Sequence, residues 1–177
     1  MKAVTTLFTL LIAMLMTAQP QPQPTIEVSG EGTVSVVPDR VTISVSVQNE
    51  GQDPKTLKQQ NDATVSEVLQ FLKGQNIPSK NITTQFVQLN KNYDYNTKKY
   101  KYSASQTISV LLEDMSKYEK VMTGLVNSGV NRIGGISFGT SKKDELEAEA
   151  RRLAILDAKQ KATEYVKPLG QSVGKAV

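Results

Sequence analysis

The amino-acid sequence predicts an α+β fold, in which a largely antiparallel sheet carries helices packed on one side. Two patterns lead to this prediction: some segments alternate apolar and polar residues, and others repeat apolar residues every three or four positions. Along the chain these segments follow the order β-β-α-β-β-α-β-α. The 177 residues, 38% of them hydrophobic and 21% charged, suffice for one globular domain with a real core.

The first two strands are predicted at residues 26–36 and 41–47. In the first strand the even positions hold apolar residues or glycine, and in the second the odd positions are apolar. Each strand therefore has one face to bury, which is typical of an antiparallel pair, here joined by a turn at Pro38-Asp39. Gly30 and Gly32 indicate a bulge or bend, because the third glycine of a dinucleotide-binding loop is missing.

A helix is predicted from Asp53 to Gly74. Asp53 is a good N-cap, Pro54 suits the first helical position, and Gly74 suits the end of a helix. Its apolar stripe consists of Val65, Val68, Leu69 and Leu72. Two further strands, at about 82–95 and 100–112, are predicted to form a hairpin around Asn96-Thr97-Lys98.

A second helix is predicted from Ser116 to Gly129, beginning with a capping box made by Ser116 and Glu119. A short strand at 131–138 and a last helix at 141–169 complete the order. The last helix carries a line of alanines, which allows close approach to a neighbouring surface.

Residues 1–18 are predicted to be a signal peptide. Lys2 supplies the positive charge, and the apolar run from Ala3 to Met16 is too short to span a bilayer. The alternating Pro and Gln residues at 19–24 form a spacer, and residues 25–177 form the domain. We therefore expect an exported protein, periplasmic or associated with the outer envelope, with no stable membrane insertion once the leader is removed.

The composition argues against several functions. The chain has no Cys and no His, so thiol chemistry, disulfides and most forms of nucleophile activation are missing. The net charge is only +4, and basic residues alternate with acidic ones, which is not the footprint of a nucleic-acid protein. We expect a protein that is not an enzyme, that uses no cofactor and no metal, and that binds no nucleic acid.

The strongest candidate site is the hairpin from Asn90 to Tyr102. Its spacing would place four tyrosine rings on one side, rimmed by lysines, and tyrosine suits interfaces because it joins apolar area to a hydroxyl. The candidate interaction residues are Tyr93, Tyr95, Tyr100, Tyr102, Lys91, Lys98, Lys99 and Lys101. The alternative interpretation is that paired rings simply stabilise a long hairpin.

A charge-rich run lies between Lys142 and Arg152. We interpret it as the solvated face of a helix, with ion pairs four residues apart: Glu147 with Arg151 in the run, and Asp157 with Lys161 just after it. Catalysis or metal binding by Glu145 and Glu149 is the alternative.

Several stretches together resemble the SIMPL domain family, also called the domain of unknown function 541 family, which includes periplasmic immunogenic and oxidative-stress-defence proteins of bacteria. The matching stretches cover everything after the leader: Ile26–Gly32, Val37–Asp39, Val41–Val45, Ile82–Thr84, Tyr93–Tyr95, Tyr102–Ser105, Gly134–Ile136 with Phe138, Leu146 with Glu149 and Ala150, and Ala154 with Ala158 and Ala162.

The resemblance implies an exported α+β domain that assembles into homo-oligomers and has no established catalytic site. It also implies a link to envelope integrity or oxidative-stress defence, with an envelope component as a further partner. Family members continue into another strand, so this domain is expected either to be truncated after Val177 or to complete its sheet differently. The alternative function is a small-ligand or polysaccharide-binding module that uses the Tyr/Lys hairpin.

Overall fold

The computed structural model describes residues 25–177. The described residues form five strands and three α-helices, and the predicted α+β fold class is confirmed. In chain order the elements are β1 (Arg40–Gly51), α1 (Pro54–Gly74), β2 (Ile82–Thr84), β3 (Gln88–Asp94), β4 (Lys99–Leu112), α2 (Tyr118–Asn127), β5 (Arg132–Gly139) and α3 (Lys143–Val166). The predicted signal peptide and spacer, residues 1–24, lie outside the described residues.

The chain divides into two compact units. The larger unit is Val34–Ala148, which holds all five strands together with α1 and α2. The smaller unit joins the described part of Met1–Thr33 to Glu149–Val177, so it contains most of α3.

The sheet of the larger unit is antiparallel throughout, with the strand order β2-β4-β1-β5. The long central pair is β1 with β4, in a register that runs from Val41 opposite Leu112 to Gly51 opposite Tyr102. β3 also pairs with β4, beyond the place where β2 ends. The outermost strands are therefore β2 and β3 on one side and β5 on the other.

One hydrophobic core lies between the sheet and the two helices of the larger unit. The odd residues of β1 from Val41 to Val47 are at most 1% exposed, as the alternation predicts. α1 and α2 both contribute to this same core, so they pack on one face of the sheet. The core side chains contributed by these helices include Val65, Val68, Leu72, Val121 and Leu125.

The ends of α1 lie where the local signals predict them. The Asp53 carboxylate accepts a hydrogen bond from the Thr56 amide at 2.8 Å, and Pro54 begins the helix. The second helix starts differently from the prediction: Asp114, rather than a capping box, accepts hydrogen bonds from the Ser116 amide and hydroxyl. A short 3₁₀ turn, Met115–Lys117, then precedes α2.

The predicted strand at 26–36 is wrong, because residues 25–39 belong to no strand. Both edges of β1 are already occupied, by β4 and β5, so this segment finds no place beside β1. The single strand predicted at 82–95 is in fact two strands, β2 and β3. In the gap between these strands, the Gln85 amide still donates to the Thr107 carbonyl of β4 at 2.9 Å.

In the smaller unit, residues 29–32 lie against α3. A Cβ added at Gly30 would overlap the Ala154 carbonyl and lie 2.6 Å from the Ala158 amide nitrogen. The same holds at Gly32 for the Ala150 carbonyl. The two glycines therefore permit close packing on the alanine line of α3, instead of the bulge that the sequence indicates.

Candidate functional site

The tyrosine hairpin, which we define as Asn90–Tyr102, contains the end of β3, a four-residue turn and the start of β4. Tyr93 lies opposite Tyr100, and Lys91 lies opposite Tyr102. Because paired residues share a face, these four side chains project from one side of the hairpin. On β1 and β4 the same face forms the core, so the rings continue that face beyond the helices.

Three of the rings contact one another. Tyr93 lies edge-on to Tyr95 and to Tyr100, with ring centroids 5.1 Å apart in both pairs. The Lys91 ammonium lies 4.1 Å from the centroid of the Tyr100 ring and 5.9 Å from that of Tyr102. The rings thus stabilise the hairpin, as the alternative interpretation requires.

The same rings also face solvent. Tyr93, Tyr95 and Tyr100 are 42%, 83% and 55% exposed, whereas Tyr102 is half-buried. The cluster is therefore packed within the hairpin and still offers aromatic surface to another molecule. The two interpretations of the tyrosines are compatible.

The other lysines do not surround the rings evenly. Lys99 and Lys101 alternate with Tyr100 and Tyr102 along β4, so they project from the opposite face. Lys98 lies in the turn with a positive φ of 53°, a conformation more usual for glycine or asparagine. Of the four candidate lysines, only Lys91 lies against the rings.

Asp94 organises the turn. One carboxylate oxygen accepts hydrogen bonds from the amides of Asn96 and Thr97 at 2.9 and 3.2 Å, and the other pairs with the Lys101 ammonium at 3.0 Å. The hydrogen bond from Lys101 is the main cause that lowers the pKa of Asp94 to about 2. The same bond raises the pKa of Lys101, so both groups stay charged at neutral pH.

A cavity of about 220 Å³ opens at the base of the hairpin. Its lining mixes rings, charges and neutral polar groups: Glu50, Asn92, Tyr93, Asp94, Lys101, Tyr102 and Ser103. Asp94 and Lys101 are poor acid–base catalysts here, because an efficient proton donor or acceptor has a pKa near the working pH. Five of its lining residues project from the face opposite to the rings: Glu50, Asn92, Asp94, Lys101 and Ser103. The chemistry that this cavity offers is therefore hydrogen bonding and ionic contact.

The charge-rich run forms part of α3 and is held in ion pairs. Asp157 pairs with Lys161 at 2.7 Å, as predicted, and the two guanidinium nitrogens of Arg152 approach Glu149 at 2.6 and 2.8 Å. The hydrogen bond from Arg152 lowers the pKa of Glu149. Among residues 25–177, no three acidic, His or Cys side chains come together in a way that would hold a metal ion.

Two structural side chains were not predicted. Asp39 accepts hydrogen bonds from the Ser141 amide at 2.7 Å and from its hydroxyl at 2.5 Å, which ties the start of β1 to the start of α3. The hydroxyl bond is the chief cause that lowers the pKa of Asp39.

Asn61 is fully buried on α1 and donates to the Val47 carbonyl at 2.9 Å. The sequence does contain a signal for its burial: Asn61 is four residues from Leu57 and four from Val65, so it lies on the apolar stripe of the helix.

The fold and the hairpin define an α+β domain with an open antiparallel sheet and an exposed cluster of tyrosines. The chain belongs to the SIMPL family, described as protein of unknown function (DUF541), whose model matches residues 26–177. None of the helices that the structure describes is both long and apolar enough to cross a membrane.

The relatives found among known proteins agree with this family. The uncharacterized protein YggE of Escherichia coli strain K12 is 30% identical over 154 residues, which is 85% of this chain. The match covers 63% of YggE, so this chain spans less than two thirds of that relative's length. The 26 kDa periplasmic immunogenic protein of Brucella melitensis biotype 1 is 25% identical over 170 residues, or 92% of this chain and 67% of the relative.

Among solved structures, an unknown protein from Galdieria sulphuraria has a TM-score of 0.28 and 13% identity over 60% of this chain and 52% of that one. So low a score carries no argument about this fold.

Proposed function

We propose that this chain is an exported protein of the bacterial envelope that performs no catalysis and acts through surface contacts. Its main activity would be assembly into homo-oligomers, with the tyrosine hairpin as a contact surface. Support for export comes from the predicted leader and from the periplasmic name of the Brucella relative. Assembly of this kind would serve envelope integrity, and any defence against oxidative stress would be indirect, because the chain has no thiol.

The observation that carries the proposal is the packing of the exposed tyrosines. Tyr93 is held by Tyr95 and Tyr100, so the three rings are ordered before any partner arrives. Binding of another subunit to these rings then costs little side-chain entropy, because the rings are already held in place, and each tyrosine offers a large contact area. A surface with ordered and exposed rings is well suited to a stable protein contact.

Light scattering coupled to size exclusion tests the proposal on the purified exported protein. We expect a discrete multimer that Tyr95→Ala combined with Tyr100→Ala weakens at least about tenfold in dissociation constant, since interface tyrosines often contribute 2 kcal/mol or more. Tyr165→Ala is the matched control, because Tyr165 is 63% exposed on α3 and lies outside the hairpin. A monomeric wild-type protein would contradict the proposal.

The cavity at the base of the hairpin favours a second candidate, a small-ligand or glycan-binding module. Its volume of about 220 Å³ is below the roughly 300–1,000 Å³ of pockets for drug-sized ligands, so it suits a single sugar ring. N-acetylglucosamine and its oligomers are suitable probes. Their binding is measured by the chemical-shift changes of the protein's backbone amides in heteronuclear NMR. Binding that disappears in Asn92→Ala while the multimer persists would support this candidate, because Asn92 lies on the cavity side of the hairpin. The absence of chemical-shift changes would dismiss it.

A further inference from the structure

The two edges of the sheet differ in how they meet solvent. β3 is rich in charged and amide side chains. From Asn90 to Asp94 every residue is charged or carries an amide, apart from Tyr93. Such residues discourage pairing with a foreign strand. β5 has the sequence Arg-Ile-Gly-Gly-Ile-Ser-Phe-Gly, in which Arg132 is the one charged residue. Among the described strands, none pairs with the outer side of β5.

β5 also exposes apolar side chains on the face that elsewhere is core. Phe138 lies opposite Val41 and Ile136 lies opposite Ile43, and both residues of β1 are fully buried. Phe138 and Ile136 are nevertheless 54% and 38% exposed, so these two side chains are covered only in part. An uncharged edge with exposed apolar residues is the kind of edge that pairs with another strand.

The half of β5 nearer its C-terminus is the part suited to pairing. The register with β1 shifts between Ser44 and Val45, opposite the Gly134-Gly135 pair, and a bulge of this kind increases the local twist. From Ile136 to Gly139 the ladder is regular. The Tyr118 ring contacts Phe138 at 6.2 Å between centroids, which holds this half against α2.

We infer that β5 pairs with β5 of a second copy of this chain, antiparallel around a two-fold axis at Ser137. In this register Ile136 lies beside Phe138 of the partner subunit, and the same contact recurs across the axis. The strand therefore complements itself: apolar residues meet apolar residues, and the charge of Arg132 stays away from the axis. A foreign strand would need the same uncharged alternation to fit as well.

This inference rests on the proposed self-assembly and adds a second contact to it. A ladder of about five residues buries less than the roughly 800 Å² per partner of a standard interface. The β5 contact is accordingly expected to act together with the tyrosine hairpin, which lies at the opposite edge of the sheet. Two separate contact surfaces on one subunit allow assemblies larger than a dimer.

Single-cysteine cross-linking tests the β5 contact directly, because the chain has no cysteine of its own. Residues directly opposite in an antiparallel pair have Cα atoms about 4.5–5.5 Å apart, within the range that a disulfide spans. Under mild oxidation, Ser137→Cys is expected to give a covalent dimer at least about tenfold faster than Thr83→Cys. The control position is exposed on β2 and, like Ser137, lies on the face opposite to the core.

Ser137→Lys provides a second readout with little risk to folding, since Ser137 is exposed and lies on the face opposite to the core. Two ammonium groups would meet at the axis, and the multimer seen by light scattering should split into smaller species. Thr83→Lys serves as the control and should leave the mass unchanged, because Thr83 is exposed on β2 and lies outside both proposed contact surfaces.

The outcomes separate this inference from the function on which it rests. A wild-type multimer that neither cross-links through Ser137→Cys nor responds to Ser137→Lys would overturn the β5 contact and leave assembly standing. A wild-type monomer would overturn both. A cross-linked dimer that persists in the Tyr95 and Tyr100 variants would support β5 as a contact independent of the hairpin.

Discussion

Asn61 shows how one polar side chain positions a helix on a sheet. Its amide donates to the Val47 carbonyl and to the Asn49 side chain, both at 2.9 Å, in a setting with no solvent access. Val47 and Asn49 belong to β1, so these bonds fix α1 at one height along the strand. The Asn61 side-chain oxygen has no hydrogen-bond partner, which offsets part of the gain.

Replacing Asn61 by alanine is expected to lower the free energy of unfolding by about 1–3 kcal/mol, because the Val47 carbonyl would lose a buried partner. Urea denaturation measures the change. Gln59→Ala, at an exposed position two residues earlier on α1, should stay within about 0.5 kcal/mol of wild type. Equal losses in the two variants would show that the buried bonds contribute nothing specific.

At the scale of single elements, the tyrosine hairpin depends on one charged turn. Asp94 is the residue that closes it, through two backbone amides and Lys101. The pKa of Asp94 is lowered from its ordinary value of 3.8 to about 2, so folding of the hairpin favours the ionised form. The stabilisation by Asp94 is therefore fully present above the unfolded pKa and is lost as the pH falls through the folded one.

We expect the hairpin to loosen between about pH 4 and pH 2, while it stays ordered at neutral pH. NMR signals of the Asn96 and Thr97 amides, which donate to Asp94, report this change. Asp94→Asn should abolish the dependence on pH in this window. Amide shifts in the wild-type protein that do not move in this range would contradict the role of Asp94.

The elements also show what the sequence can predict. The first residue of α1 was predicted because Asp53 and Pro54 act locally. The helix ends at Gly74 as predicted, but Gly74 is still helical, and the residue with a positive φ after the helix is Asn76, at 56°. The strand at 26–36 failed for a non-local reason: alternation predicts an extended chain but does not say whether a neighbouring strand has a free edge. The split between β2 and β3 was missed for the same kind of reason, since no residue type marks it.

The candidate site was predicted in part. The spacing correctly placed Tyr93, Tyr100 and Tyr102 on one face, because alternation along a strand is local. It did not show that Asp94 would pair with Lys101, because that contact depends on the geometry of the turn. Whether these residues bind a partner stays a prediction.

At the scale of the whole molecule, the smaller unit joins the two ends of the described chain. Lys161 donates to the Ser29 carbonyl at 3.3 Å, and Asp157 accepts from the Glu31 amide at 2.8 Å. Together with the packing of Gly30 and Gly32 on the alanines of α3, these bonds hold residues 25–33 in place.

Gly30→Ala is expected to destabilise the packing of residues 29–32 on α3 by about 1–3 kcal/mol. The added methyl group would meet α3 backbone atoms that cannot move aside. Hydrogen exchange of the Glu31 amide measures the effect, since that amide is bonded to Asp157. Gly74→Ala, at a site with nothing within 4 Å, is the control and should leave the exchange of Glu31 unchanged. Unaltered exchange in Gly30→Ala would show that the contact is loose.

The bond between Glu31 and Asp157 spans 126 residues of sequence, and this separation determines when the bond can form. A chain that emerges N-terminus first completes Val34–Ala148 before Asp157 is available. The loop-closure entropy of so distant a contact is recovered only after the intervening residues are folded. Residues 25–33 thus emerge before the larger unit but are among the last to form their contacts, and until then they are open to chaperones and proteases.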